Sequence, residues 1–149
     1  MKEREELLKS CHTYVNERIL RLETSVWDLE RDLGNETKSS AGDKYETSRE
    51  MINAEISQLE SQLQEFKKLQ EILQLPNLQK SGKKIQLGSI VTTSAANYFL
   101  AIPAGEIKLE KQNFYGIGIN SPIAKLLLGK QKGDRFNFHQ EDIKILSVD

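Results

Sequence analysis

Residues 8–33, LKSCHTYVNERILRLETSVWDLERDL, decide the first half of the fold. Leu8, Val15, Leu22 and Leu29 recur at every seventh position, with Cys11, Ile19, Val26 and Leu33 between them at offsets of three or four. A helix turning once per 3.6 residues brings all eight onto one stripe, the a/d seam of a coiled coil. Ile52, Leu59, Phe66 and Leu73 repeat the seven-residue step further on, with Ile56 and Leu63 interleaved. No proline precedes Pro76, so nothing interrupts either helix interior. Between the two seams lie Gly34, Asn35, Thr37, Ser39, Ser40 and Gly42, which favour loops and caps. Residues 1–75 are therefore expected to form an antiparallel hairpin with its tip at 34–43, each helix about 45 Å long at 1.5 Å per residue. A bundle or a coiled coil pairing between chains uses the same seams and stays open at this point.

Beyond the hairpin the pattern changes. Leu75-Pro76-Asn77 ends the second helix, because proline disfavours helical geometry at the residue before it. Residues 76–87 are expected to be a linker carrying Lys80, Lys83 and Lys84. From Gly88 to Asp149 six β-rich runs succeed one another: 89–93, 98–102, 106–109, 114–119, 135–138 and 143–148. Turn residues separate them, among them Pro103-Ala104-Gly105 and Lys132-Gly133-Asp134. One short helix interrupts the series, with Ser121 as N-cap, Pro122 at the first helical position, apolar residues through Leu128 and Gly129 as the stop. The fold class is α+β: a two-helix coiled coil, then a small antiparallel-sheet domain with one short helix.

Charge follows the same division. The chain of 149 residues carries 21 basic and 22 acidic side chains, for a formal net charge of -1. Residues 1–75 hold 11 basic and 16 acidic groups, whereas residues 76–149 hold 10 and 6. The near-neutral total argues against a protein that coats DNA indiscriminately. No apolar run approaches the roughly 18–20 residues of a membrane span, and Met1-Lys2-Glu3-Arg4-Glu5-Glu6 lacks the apolar core of a signal peptide. One cysteine builds neither a disulfide framework nor a Cys-rich zinc site, which fits a reducing cytoplasm.

Three stretches resemble a known family. Leu87-Gly88-Ser89-Ile90-Val91 is similar to the strand that opens the C-terminal domain of Gre-type transcript cleavage factors. More specifically, residues 119–134, INSPIAKLLLGKQKGD, resemble that family's Ser-Pro helix followed by Leu-Gly-Lys and Gly-Asp. Tyr45 and Arg49 are similar to the Tyr-x-x-x-(Arg/Lys) start of the second Gre helix. The resemblance implies an FKBP-like second domain and one partner, bacterial RNA polymerase, bound at its secondary channel. It places polymerase contacts at Asn120, Ser121, Pro122, Lys125 and Lys130, and tip contacts at Lys38, Lys44 and Tyr45. In the family, two tip acids help the polymerase hold a second Mg²⁺ and cleave backtracked RNA; the chain itself is then no enzyme and holds no metal of its own. A carboxylate suits this hard cation, and the metal lowers the pKa of bound water. This sequence departs from the family there, since Lys38 and Ala41 occupy the two acidic places. Its nearby acids are Glu36, Asp43 and Glu46, the candidates for the Mg²⁺-sharing role.

Each candidate also has a plainer role. Asp43 before a helix with Glu46 three residues on is a reciprocal capping signature. Asn120, Ser121 and Pro122 make an ordinary strand-to-helix cap, and lysines on a surface are ordinarily solvated. Cys11 falls on the apolar seam and His12 on another helical face, so they form no nucleophilic dyad. His139 lies alone in a β segment, and Trp27 is expected to shield the seam beside Val26, with contact to a partner as the alternative. Tyr98, Phe99, Phe114, Tyr115, Phe136 and Phe138 alternate as core residues do; a prolyl-isomerase pocket is the least favoured use of them. Three functions stand beside cleavage stimulation: a channel regulator that does not cleave, a coiled-coil adaptor for another protein, and the isomerase.

Overall fold

The computed structural model describes residues 2–38, 42–80 and 82–149, with the side chains of 36–38 and 42–45 also outside the description. Helix α1 spans Lys2–Lys38 and α2 spans Gly42–Leu73; a 3-10 turn comes next at Pro76–Gln79. The strands are β1 (Ile90–Thr93), β2 (Asn97–Leu100), β3 (Gly105–Lys108), β4 (Asn113–Ile117), β5 (Arg135–Phe138) and β6 (Glu141–Val148), with α3 (Pro122–Leu127) between β4 and β5. The class is α+β. Two compact units divide the chain, one made of residues 15–69 and the other of residues 1–14 with 70–149.

The first unit contains the two long helices packed on each other. Its seam keeps the seven-residue step: Val15, Ile19, Ile56 and Leu63 are buried, and Leu22, Val26, Leu29, Ile52, Leu59 and Phe66 are half-buried. No seam residue is exposed among those described, which is the burial a single apolar stripe per helix allows. Trp27 departs from expectation. It is 59% exposed and does not close the seam. The break expected over 34–43 is also narrower. α1 runs through Gly34 and Asn35, and only 39–41, which lie outside the described residues, separate it from α2. A glycine inside a helix costs about 1 kcal/mol relative to alanine, too little to stop a helix whose seam continues through Leu33. Asp43 is consequently the second residue of α2 and not the residue preceding it, two positions past the cap place expected for it.

The second unit is built on a six-stranded sheet in the order β3-β4-β2-β1-β6-β5. All neighbours are antiparallel except β2 and β4, which run parallel in the register Tyr98↔Tyr115 and Phe99↔Gly116. The parallel pair arises because the β3–β4 hairpin returns with β4 against β2 and β3 outermost. Side chains alternate across the sheet. One face carries Val91, Tyr98, Leu100, Phe136, Ile143 and Ile145, packed with Ile123, Ala124 and Leu127 of α3. Ile90, Phe99 and Phe114 fall on the other face, and all three are buried, as are Leu7, Leu8 and Cys11 of α1 and Leu78 of the 3-10 turn. Residues 76–87, expected to be a linker, contribute Leu78 and Ile85 to these cores.

Arg4 fastens the start of α1 within this unit. It is 7% exposed, and its Nη1 donates to the carbonyl oxygens of Leu78 at 2.9 Å and Gly88 at 2.5 Å. Burial lowers its pKa from the ordinary arginine value, and the nearby negative charge of Asp149 acts against that shift. Burial likewise raises the Cys11 thiol, to about 12. Among the described residues no helix is long and apolar enough to cross a membrane.

Candidate functional site

The segment 118–132 is shaped by a cap at each end of α3. Ser121, extended at ψ 154°, accepts a hydrogen bond from the Ala124 amide at 3.2 Å and donates through Oγ to the Gly118 carbonyl at 2.9 Å. Pro122 occupies the first turn, where an amide hydrogen would have no helical partner. At the other end the Leu128 amide donates to Ala124 O at 2.9 Å, and Gly129 turns the chain at φ +84°. A left-handed residue is the common way out of a helix, and glycine takes it without a Cβ penalty.

The turn at Gly129 brings two remote segments together. The Gly129 amide donates to Ile85 O at 2.9 Å, and the Ile85 amide donates to Lys130 O at 2.8 Å. An antiparallel bridge pairs Lys84 with Gln131. Ile85 is 2% exposed and sits in the core with Ala124 and Leu127, which anchors the pairing. The backbone of Lys83-Lys84 therefore runs alongside that of Lys130-Gln131-Lys132. Lys83, Lys84, Lys125 and Lys132 are all exposed. Asp134 is the acid of this turn, and its Oδ2 already accepts from the Gln131 amide at 2.9 Å. Exposed Ile119 and Leu128 lie in the same stretch of chain. A surface of this kind suits a partner patch bearing carboxylates or phosphates around an apolar centre.

The expected site residues divide between this surface and the hairpin. Asn120, Pro122 and Lys125 are exposed, and Ser121 is half-buried as the cap. Lys130 differs from its neighbours: its Nζ donates to the Leu126 carbonyl at 2.5 Å, so it caps the C-terminal end of α3. Lys132 belongs to the basic fringe expected beside Lys125 and Lys130, whereas Lys83 and Lys84 were not among the expected contacts; their lysine-rich segment was visible in sequence, its pairing was not. At the hairpin, Glu46 is exposed on α2. Glu36, Lys38, Asp43, Lys44 and Tyr45 have helical backbones, and their side chains lie outside the described residues. Among the described residues no group of three or more metal-binding side chains comes together.

No known family model matches the chain, and no curated protein matches it in sequence.

Proposed function

We propose that the chain is a Gre-like regulator of bacterial RNA polymerase, acting in the cytoplasm through the secondary channel. The observation that carries this is the gathering of Lys83, Lys84 and Lys132 beside the Ser121-capped helix, which turns two ordinary lysine-rich segments into one basic surface. In support stand the motif 119–134 and the order of the units, two long packed helices and a mostly antiparallel sheet with a short helix. The basic surface docks on an acidic patch of the polymerase, and the helical hairpin enters the channel. RNA cleavage, where it occurs, is the polymerase's own reaction, with Asp43, Glu46 and Glu36 sharing its Mg²⁺. Lys38 and Ala41 at the family's two acidic places favour a second version, in which the hairpin occupies the channel without promoting cleavage.

The test is binding to bacterial core RNA polymerase, with cleavage assays on backtracked complexes as the second stage. The full chain is expected to co-elute with core polymerase, and a Lys83→Glu, Lys84→Glu, Lys132→Glu variant is expected to bind at least about tenfold more weakly, each reversal at a docked patch being worth a few tenths to one kcal/mol or more. Absence of binding to core polymerase removes the proposal. Binding without shortening of the RNA selects the non-cleaving version. If shortening occurs, Asp43→Ala with Glu46→Ala abolishes it and leaves binding intact.

A further inference from the structure

Trp27 is the chain's one tryptophan, and 59% of it is exposed. Tryptophan is ordinarily buried over most of its large surface, and where it stays exposed it is enriched at binding sites. It lines a groove of about 340 Å³ between α1 and α2, floored by Val26 and Leu63 of the seam. Three carboxylates rim that groove, Glu23 and Glu30 from α1 and Glu60 from α2, and among the described residues no basic one lines it. Glu23, Trp27 and Glu30 stand at i, i+4 and i+7, hence on one face of α1. None of the three acids forms an ion pair among the described residues, where Asp28 and Glu65 do. The ring already holds one cation: the Arg31 guanidinium lies 4.7 Å from its centroid, itself paired with Asp28 at 3.3 Å.

We propose that this groove docks a basic segment of a protein partner, with an arginine or lysine side chain against Trp27 and the segment's further positive charge facing Glu23, Glu30 and Glu60. Charge complementarity selects the occupant. Residues 15–69 hold 8 basic and 12 acidic side chains, and the charged side chains lining the groove are all acidic. A phosphate backbone is repelled by such a rim, and a second copy seated groove to groove sets acids against acids. A cation over an indole face flanked by carboxylates gains from both, because the ring quadrupole and the acids attract the same sign. This goes beyond the polymerase proposal and does not depend on it, since none of its residues belongs to the lysine surface.

Because Trp27 is the one tryptophan, its emission reports the groove in the intact chain. The probe is a capped peptide of alternating arginine and alanine, with the alternating glutamate and alanine peptide as control. A saturable change of emission is expected with the arginine peptide and none with the glutamate peptide. The variant Glu23→Gln, Glu30→Gln, Glu60→Gln keeps side-chain shape and is expected to weaken binding about tenfold or more. The variant Glu17→Gln, Glu50→Gln, Glu55→Gln removes the same charge elsewhere on the two helices and is expected to bind like the parent. Helical circular dichroism checks that both variants fold. No saturable change, or equal weakening in the two variants, overturns the proposal. So does concentration-dependent dimerisation that shifts Trp27 emission to the blue, which assigns the groove to a second copy.

Discussion

Replacing Gly88 by alanine is expected to destabilise the sheet unit severely, and the cost divides into two measurable parts. Gly88 sits at φ +95°, and a Cβ built on it lies 2.2 Å from the Asn77 carbonyl oxygen and 3.1 Å from the Leu78 Cα. The backbone conformation alone costs an L-residue about 1–2 kcal/mol. Overpacking adds roughly 1–3 kcal/mol when the neighbour can yield only by moving backbone. Movement here is opposed from three directions. The Gly88 amide donates to Leu100 O at 2.6 Å, the Gly88 carbonyl accepts from Arg4, and the Leu78 carbonyl facing it accepts from the same guanidinium. The total is roughly 2–5 kcal/mol, a large share of the 5–15 kcal/mol that holds an ordinary domain folded. Gly129→Ala isolates the first part, because Gly129 has φ +84° and nothing within 4 Å of its Cβ position. At about 2–4 °C per kcal/mol for a chain of this size, calorimetry should show Tm lowered by roughly 4–20 °C in Gly88→Ala and by about 2–8 °C in Gly129→Ala. Equal shifts in the two variants would refute the steric argument, and with it the claim that the 3-10 turn is clamped against Gly88.

Three single sites give further expected outcomes. Cys11 is fully buried with its thiol pushed up to about 12, so a thiol reagent at pH 8 should modify the folded chain roughly a thousandfold more slowly than the urea-unfolded chain. The same shift makes the neutral thiol a stabilising group below its ordinary pKa; that contribution is lost as pH rises from about 9 toward 12, and alkaline melting of Cys11→Ala should decline less steeply. Ser121→Ala removes the acceptor for the Ala124 amide and is expected to cost about 1 kcal/mol in urea unfolding, with faster hydrogen exchange at that amide. Gln140→Gly relieves a left-handed residue, φ 66°, in the exposed two-residue turn between β5 and β6, and should raise stability by roughly 0.5–1 kcal/mol in the same titration.

The hairpin and the sheet were legible because each rests on a period. A seven-residue step marks a helix seam however the chain is later arranged, and every seam residue from Leu8 to Leu73 is at least half-buried. The six strands fall within a few residues of the runs read from β-branched and aromatic residues, and Ser121, Pro122 and Gly129 sit where a cap, a first turn and a stop belong. The misreadings share a cause. Gly34 and Asn35 carry loop propensity, but propensity is worth about 1 kcal/mol and packing across the seam outweighs it. Residues 76–87 are polar enough for a linker, yet two of them, Leu78 and Ile85, are buried, and burial of two aliphatic side chains at roughly 1.5–3 kcal/mol each ties the segment down.

The candidate sites differ in legibility for a reason of geometry. A cap is a local device, so Ser121 announces itself within four residues. The lysine surface depends on one antiparallel bridge, Lys84 with Gln131, formed because Ile85 is drawn into the core that also holds Ala124 and Leu127. A pairing of single residues 47 positions apart leaves no periodic trace, and the lysines it gathers are separately unremarkable. The exposure of Trp27 was not legible for a related reason. Its place beside Val26 makes it a flank of the seam, and whether a flank closes over or stays open depends on the facing helix. There α2 presents Glu60 and Leu63, so the indole borders a rimmed groove. The charge split between the halves of the chain thus resolves into two surfaces of opposite sign, each assembled by contacts between segments that sequence periodicity treats as independent.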